Sequence, residues 1–231
     1  MKASSLLSLV LAVALAVVCG RNAFASKSDK NQSNMEQKSQ SGSSQSSWSP
    51  NEEKSKYPFL QAEVMGMVGT YDGKKNPDVM MGVVTLKGNQ VIMHMSHHQT
   101  TENFEKTGGF TLAFITEGTV AESDYFGTTS EKKAPGKVKH VGFTWHDAQK
   151  VNAPVIDQYP LTLECKVASW KDGELIADIV GSDIHDDILD GKGNVDFAKL
   201  KPVVLDEGTH QYHVLGPAVG TVYGASMRFR K

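Results

Sequence analysis

A mainly β domain is what this sequence predicts: a closed antiparallel barrel of long strands with a few short helices. Three observations carry that expectation. From Ala62 onward the apolar residues arrive in short runs rich in β-branched and aromatic side chains. Turn residues punctuate the runs, as at Asp72-Gly73, Lys87-Gly88-Asn89 and Lys171-Asp172-Gly173. No glycine-rich phosphate loop follows a strand, and strands do not alternate with long helices, which argues against a parallel α/β sheet.

In chain order, AEVMGMVGTY, VMMGVVTL and QVIMHM read as three strands joined by tight turns, an antiparallel meander. TTENFEKTGG changes the period. Threonines that can cap, Glu102 in the first turn and Gly108-Gly109 as a stop predict a short helix. FTLAFI returns to strand, VAESDYFG reads as a second short helix closed by Gly127, and TSEKKAPGK is a loop. LTLECKVASW and ELIADIVGSDIH form a long hairpin, DFAKL a helical turn and GTVYGASMRF a closing strand.

The folded domain is assigned to residues 56–231. Residues 1–25 begin with Lys2, run apolar from Leu6 to Val18 and end in Ala23-Phe24-Ala25, the pattern of a secretory signal cleaved after Ala25. The apolar run is shorter than the roughly 20 residues a membrane helix needs, so no transmembrane span is expected. Cys19 offers a lesser alternative, lipoprotein anchoring, with the bulky Val18 just before it. Residues 26–55 are rich in Ser, Gln, Asn and Lys and read as a disordered linker. The protein is therefore expected to be exported, periplasmic or extracellular.

The whole chain carries 24 basic and 26 acidic residues, a formal charge of −2. Cleavage removes Lys2 and Arg21 and no acid, leaving 22 against 26, or −4. A mildly acidic chain is a poor partner for nucleic acid. Cys165 lies in a strand pattern without a second cysteine in the domain and reads as a buried thiol rather than a redox nucleophile.

No G-x-S-x-G elbow, H-E-x-x-H helix or paired zinc cysteines occur, so no catalytic side chain announces itself. The stretch HMSHHQTTENF, residues 94–104, concentrates the polar chemistry. Strand alternation would point His97 and His98 to opposite faces, and no acid or cysteine stands at a metal-ligand offset, so a histidine metal site is weak. His210-x-x-His213 is no stronger. A helix starting in this stretch presents unpaired backbone N–H groups that suit an anion. Ser96, His98, Gln99, Thr100 and Thr101 could add donors; equally, Thr100 or Thr101 could simply cap the helix.

Five segments in order resemble the flavin reductase-like, flavoredoxin-like family with its FMN-binding split barrel, an antiparallel Greek-key fold. They are GKKNPDVMM, SHHQTTENFEKTGGFTLAF, SDYFGTTSEKKAPGK, NAPVIDQYPLTLECKV and VLGPAVGTVYGASM, and the resemblance runs from Phe59 to Phe229. It implies non-covalent FMN, with Asn76, Val79, Met80 and Met81 near the flavin ring. Ser96 and Thr100 would hold the phosphate, His98 or Gln99 would replace the family's usual cation there, and Ser130 and Lys137 would close the phosphate side. Ala113, Glu131 and Met81 depart from the residues common at their positions, and weaker FMN binding is the expected consequence.

The resemblance also implies a homodimer and chemistry that resides on the flavin, with no side chain acting as acid or base. Flavin-mediated electron or hydride transfer is then the expected function, with a redox partner protein or a small-molecule donor and acceptor. Export separates the protein from cytoplasmic nicotinamide nucleotides, which favours an extracytoplasmic electron carrier. The alternatives are a non-catalytic flavin- or ligand-binding barrel and, behind it, a histidine-based metal binder.

Overall fold

Eleven strands and four short helices make up the described chain, which in this computed structural model comprises residues 60–229 apart from the Arg228 side chain. The expected signal segment 1–25 with Cys19, the linker 26–55 and residues 56–59 lie outside the described residues.

The strands are β1 (Ala62–Tyr71), β2 (Pro77–Val83), β3 (Thr85–Lys87), β4 (Gln90–His94) and β5 (Gly109–Phe114). After them come β6 (Trp145–Asp147), β7 (Pro154–Ile156), β8 (Leu161–Lys171), β9 (Glu174–Ile184), β10 (Val203–Asp206) and β11 (Gln211–Val214). The helices are α1 (Gln99–Thr107), α2 (Val120–Thr128), α3 (Lys137–His140) and α4 (Phe197–Leu200). One curled antiparallel sheet runs β11-β10-β1-β5-β8-β9-β4-β3, with β2 also paired to β1, and β6-β7 form a separate pair. The mainly β, antiparallel, split-barrel class agrees with the sequence, whereas the closed barrel expected from it is corrected to a curled half-barrel whose path ends at β11 and β3.

β1 explains why its apolar run is nearly continuous. Met65 and Met67 face one core with Val79, Phe126 and Tyr159, whereas Val68 faces a second with Phe104, Phe110 and Leu112. A strand covered on both faces has no solvent side and loses the polar alternation of an exposed sheet. β5 does the same, sending Phe110 and Leu112 to the second core and Ala113 to the first. Cys165 on β8 is fully buried in the second core, and burial pushes its thiol up to about 12.

Several local expectations are corrected. The meander is broken: VMMGVVTL divides at Val84, whose N–H donates to the Val64 carbonyl, and β4 pairs with β3 and then with distant β9. Gly127 does not close α2 but lies inside it. GTVYGASMRF is not a strand; it forms turns ending in a 3-10 turn at Met227–Phe229, and the strand role at this end falls to β10 and β11. Gly220 and Gly224 interrupt the alternation a strand needs, and the Ala225 N–H turns back to the Thr221 carbonyl. The helix at α1 matches its expected stop, since Gly108 adopts φ 75°, the left-handed C-cap that glycine takes without strain.

Candidate functional site

Helices α1 and α2 carry Phe104 and Phe126 into opposite cores, and β2 runs between them. An open cleft of about 440 Å³ forms where the start of α1, the end of α2 and the loop before α3 meet over β2. Met80, Met81 and Phe126 supply apolar groups, and His97, His98, Gln99, Lys132 and Lys133 bring nitrogen donors.

Of the residues expected at a site, Met80, Met81, His98, Gln99, Thr100, Ser130 and Lys137 line this cleft. Asn76, Val79 and Ser96 do not. Asn76 is exposed and turned back on Asp72, donating its side-chain amide at 2.9 Å and its backbone N–H at 2.8 Å. It lines an adjoining cleft that shares Gln99, Glu131 and Lys132 with the first. The Val79 side chain is wholly within the core, and Ser96 is exposed between β4 and α1.

The helix start differs in detail from the sequence expectation. His98 is the N-cap residue and Gln99 the first helical one, so neither threonine occupies the cap position. Thr101 closes the first turn from within: its hydroxyl donates to the His98 carbonyl and accepts the His98 N–H, both at 2.9 Å. Thr100 is buried and gives its hydroxyl proton to Asp78 Oδ2 at 2.8 Å. Backbone N–H groups at Gln99 and Thr100 belong to the first turn and have no intrahelical acceptor, which leaves an anion-accepting helix end beside the cleft.

Lys137 is likewise placed otherwise than a ligand-facing cation. Its side chain is 1 % exposed, and its ammonium donates to the Val79, Thr129 and Phe126 carbonyls at 2.6, 2.7 and 3.4 Å and lies 3.6 Å from Asp78 Oδ1. Burial pushes its pKa down, against the opposing pull of Asp78 and Glu131. The exposed charges are those of Lys132, 3.6 Å from Glu102 Oε1, and Lys133.

Glu131 gives one carboxylate oxygen to the Gly136 N–H, while its other oxygen is buried without a hydrogen-bond partner. Burial raises its pKa, with hydrogen bonds from Gly136 and Lys137 opposing and the Asp78 charge adding to the rise.

Residues the sequence reading missed as lining groups are Asp78, His97, Phe126, Gly127, Thr128, Thr129, Glu131, Lys132 and Lys133. Asp78 lay within a quoted motif, but its burial beside Lys137 depends on a contact between distant segments. Gly127 has a packing role that only the structure shows: a Cβ there would come within 2.8 Å of Met81 Cε. The His97 ring meets the edge of Trp170 at 5.5 Å between centroids, while His98 is the N-cap of α1. Among the described residues no group of three or more His, Cys, Asp and Glu could hold a metal.

A cleft with a thioether floor, bordered by a helix N-terminus and two exposed lysines, fits a flat, apolar group bearing a phosphate. That fold and that cleft together define a split-barrel protein with a candidate ligand site between its helices. The chain belongs to the flavin reductase-like family: the model of the flavin reductase like domain matches residues 67–190. Among solved structures, flavoredoxin of Desulfovibrio vulgaris (Miyazaki F) is similar at 21% identity and TM-score 0.68, covering 74% of this chain and 97% of that one. Flavoredoxin from Methanosarcina acetivorans is similar at 20% identity and TM-score 0.64, covering 80% and 100%. The FMN-binding domain of a flavin reductases-like enzyme from Shewanella baltica OS155 gives 15% identity and TM-score 0.58, covering 68% and 88%. No curated protein sequence matches the chain.

Proposed function

We propose that this protein is an exported flavoprotein that binds FMN non-covalently in the α1–α2 cleft and passes electrons or hydride through it. The observation that carries the reading is the cleft itself, where an anion-accepting helix start and Lys132 and Lys133 adjoin a floor of Met80 and Met81. Bound there, FMN would supply hydride and single-electron transfer. The chain's own residues do the rest: the first turn of α1 and the two lysines hold the phosphate, and the apolar floor orients the ring and excludes water.

Family membership supports the flavin, and the FMN-binding domain named among the similar structures supports FMN in particular. The signal pattern of residues 1–25 supports export, and with it an extracytoplasmic redox protein or small molecule as donor. Among the described residues no helix is long and apolar enough to cross a membrane. A homodimer is part of the proposal, supported by the apolar C-terminal segment, where Val219, Val222 and Tyr223 are 101, 83 and 79% exposed.

A second reading, a non-catalytic ligand-binding barrel, is favoured by the partnerless Glu131 oxygen at the cleft, which would repel a phosphate while ionised. Purified chain from residue 26 onward, loaded with FMN and desalted, separates the readings. Retained flavin that a chemical reductant bleaches and an acceptor restores is the expected result. Retained flavin that exchanges no electrons selects the second reading, and colourless protein that takes up no FMN ends the first.

A further inference from the structure

Lys137 stands where the resemblance calls for a cation against a phosphate, and its surroundings assign it different work. An ammonium has three N–H donors. Here the carbonyls of Val79, Thr129 and Phe126 occupy them, at 2.6, 2.7 and 3.4 Å. None is left for a ligand.

The three carbonyls belong to the three pieces that shape the cleft. Val79 is on β2, Phe126 is near the end of α2, and Thr129 opens the loop that carries Ser130, Lys132 and Lys133. Asp78, 2% exposed, extends the connection: one oxygen lies 3.6 Å from the Lys137 ammonium and the other accepts the Thr100 hydroxyl at 2.8 Å. Floor, far wall and first turn of α1 are thus joined through one buried ion pair. The same β2 segment holds α1 a second way, since Asn103 donates to Thr70 Oγ1 at 3.1 Å, and Thr70 to the Asp78 carbonyl at 3.5 Å.

We propose that Lys137 and Asp78 are a positioning pair that sets the separation of the cleft's walls, and that Lys137 makes no contact with the ligand. The consequence for flavin rests on the binding reading above; the internal role does not. A buried pair that loses one member leaves an uncompensated charge, whereas replacing both members by neutral groups removes that penalty. A direct phosphate contact would behave otherwise, because its loss harms only ligands that carry the phosphate.

The test compares the mature chain with Lys137→Met and with the double variant Asp78→Asn, Lys137→Met. Ligand-free thermal melting is measured, together with dissociation constants for FMN and riboflavin by fluorescence titration. The single variant is expected to melt lower and to lose about tenfold in affinity for both flavins alike, an order of magnitude typical of a lost positioning contact. The double variant is expected to recover part of the melting temperature, because no uncompensated charge remains, while both affinities stay low because the link between the walls is still missing.

Selective loss of FMN, with riboflavin unchanged, would make Lys137 a phosphate contact and overturn the proposal. So would a double variant no more stable than the single, or a single variant that melts and binds as wild type. If wild type binds neither flavin, the binding reading fails on its own, and the ligand-free melting comparison still decides the pair. If neither Lys137 variant folds, Thr100→Val breaks the same connection at its α1 end. Equal weakening of both flavins then supports the pair, and an effect on FMN alone or no effect on either flavin refutes it; if wild type binds neither flavin, a lower ligand-free melting temperature supports the pair and an unchanged one refutes it.

Discussion

Lys132 and Lys133 carry the exposed positive charge of the cleft, while Lys137, of the same residue type and in the same loop-helix segment, is consumed inside the protein. Replacing both exposed lysines by glutamine removes charge from the phosphate side and leaves the floor intact. FMN affinity is expected to fall about tenfold at low salt, with riboflavin affinity little changed, and the difference should shrink as salt screens exposed charge. Titrations with the two flavins at two salt concentrations check this. The Lys132–Glu102 ion pair is exposed at both ends, so its loss should cost at most about 1 kcal/mol of stability. Residue types on this segment were legible in the sequence. Which lysine met solvent was not, because burial of Lys137 is decided by Asp78 and three carbonyls that arrive from elsewhere in the chain.

Helix α2 lies against β2 through a glycine, and this contact shapes the cleft floor. A methyl group at position 127 would stand 2.8 Å from Met81 Cε and 3.1 Å from Met81 Cβ. Gly127→Ala should therefore displace Met81 and weaken FMN several-fold, while the better helix propensity of alanine, about 1 kcal/mol, offsets part of the strain in α2. Paired flavin titration and thermal melting check both halves of that expectation. The small β6–β7 pair is tied to β9 by His146, which sits 2.7 Å from Asp157 and 3.2 Å from Asp183. The Asp157 hydrogen bond is the largest cause of a raised His146 pKa, against partial burial and with help from Asp183. A raised folded-state pKa makes protonated His146 stabilising. That contribution is complete below the ordinary value of 6.5 and is lost as pH rises through the folded-state value. His146→Gln should thus melt lower than wild type in mild acid and converge with it in mild alkali. Melting curves across that range would sink the idea if the gap stayed constant.

Among the described residues, the chain beyond β11 exposes a run of large apolar side chains. Val219, Val222, Tyr223 and Met227 are each at least 67% exposed, an arrangement costly in water for a protein that stays alone. Deleting residues 217–231 should shift the proposed homodimer toward monomer without unfolding the barrel, because the two buried cores draw on residues no later than Tyr212. Light scattering of the two forms at matched concentration checks it; an unchanged mass would exclude the segment from the interface. The sequence predicts a closing strand over GTVYGASMRF in this segment. Alternation alone carried that expectation, and glycines at 216, 220 and 224 with no paired partner strand explain its failure.

Strand content, the hairpin at Asp172-Gly173, α1 with its Gly108 stop and the order of motifs that marks the family were all written locally in the chain. Turn chemistry, β-branched runs and a left-handed glycine act over a few residues, so they survive reading in one dimension. Pairing of β4 with β9, the two-sided burial of β1 and the division of lysines into buried and exposed came only with folding. Each depends on which distant segments share a hydrogen-bonded edge or a core. The cleft is of this second kind: β2, α1, α2 and the loop before α3 contribute a few groups apiece, and the Lys137–Asp78 pair exists only once those segments have met.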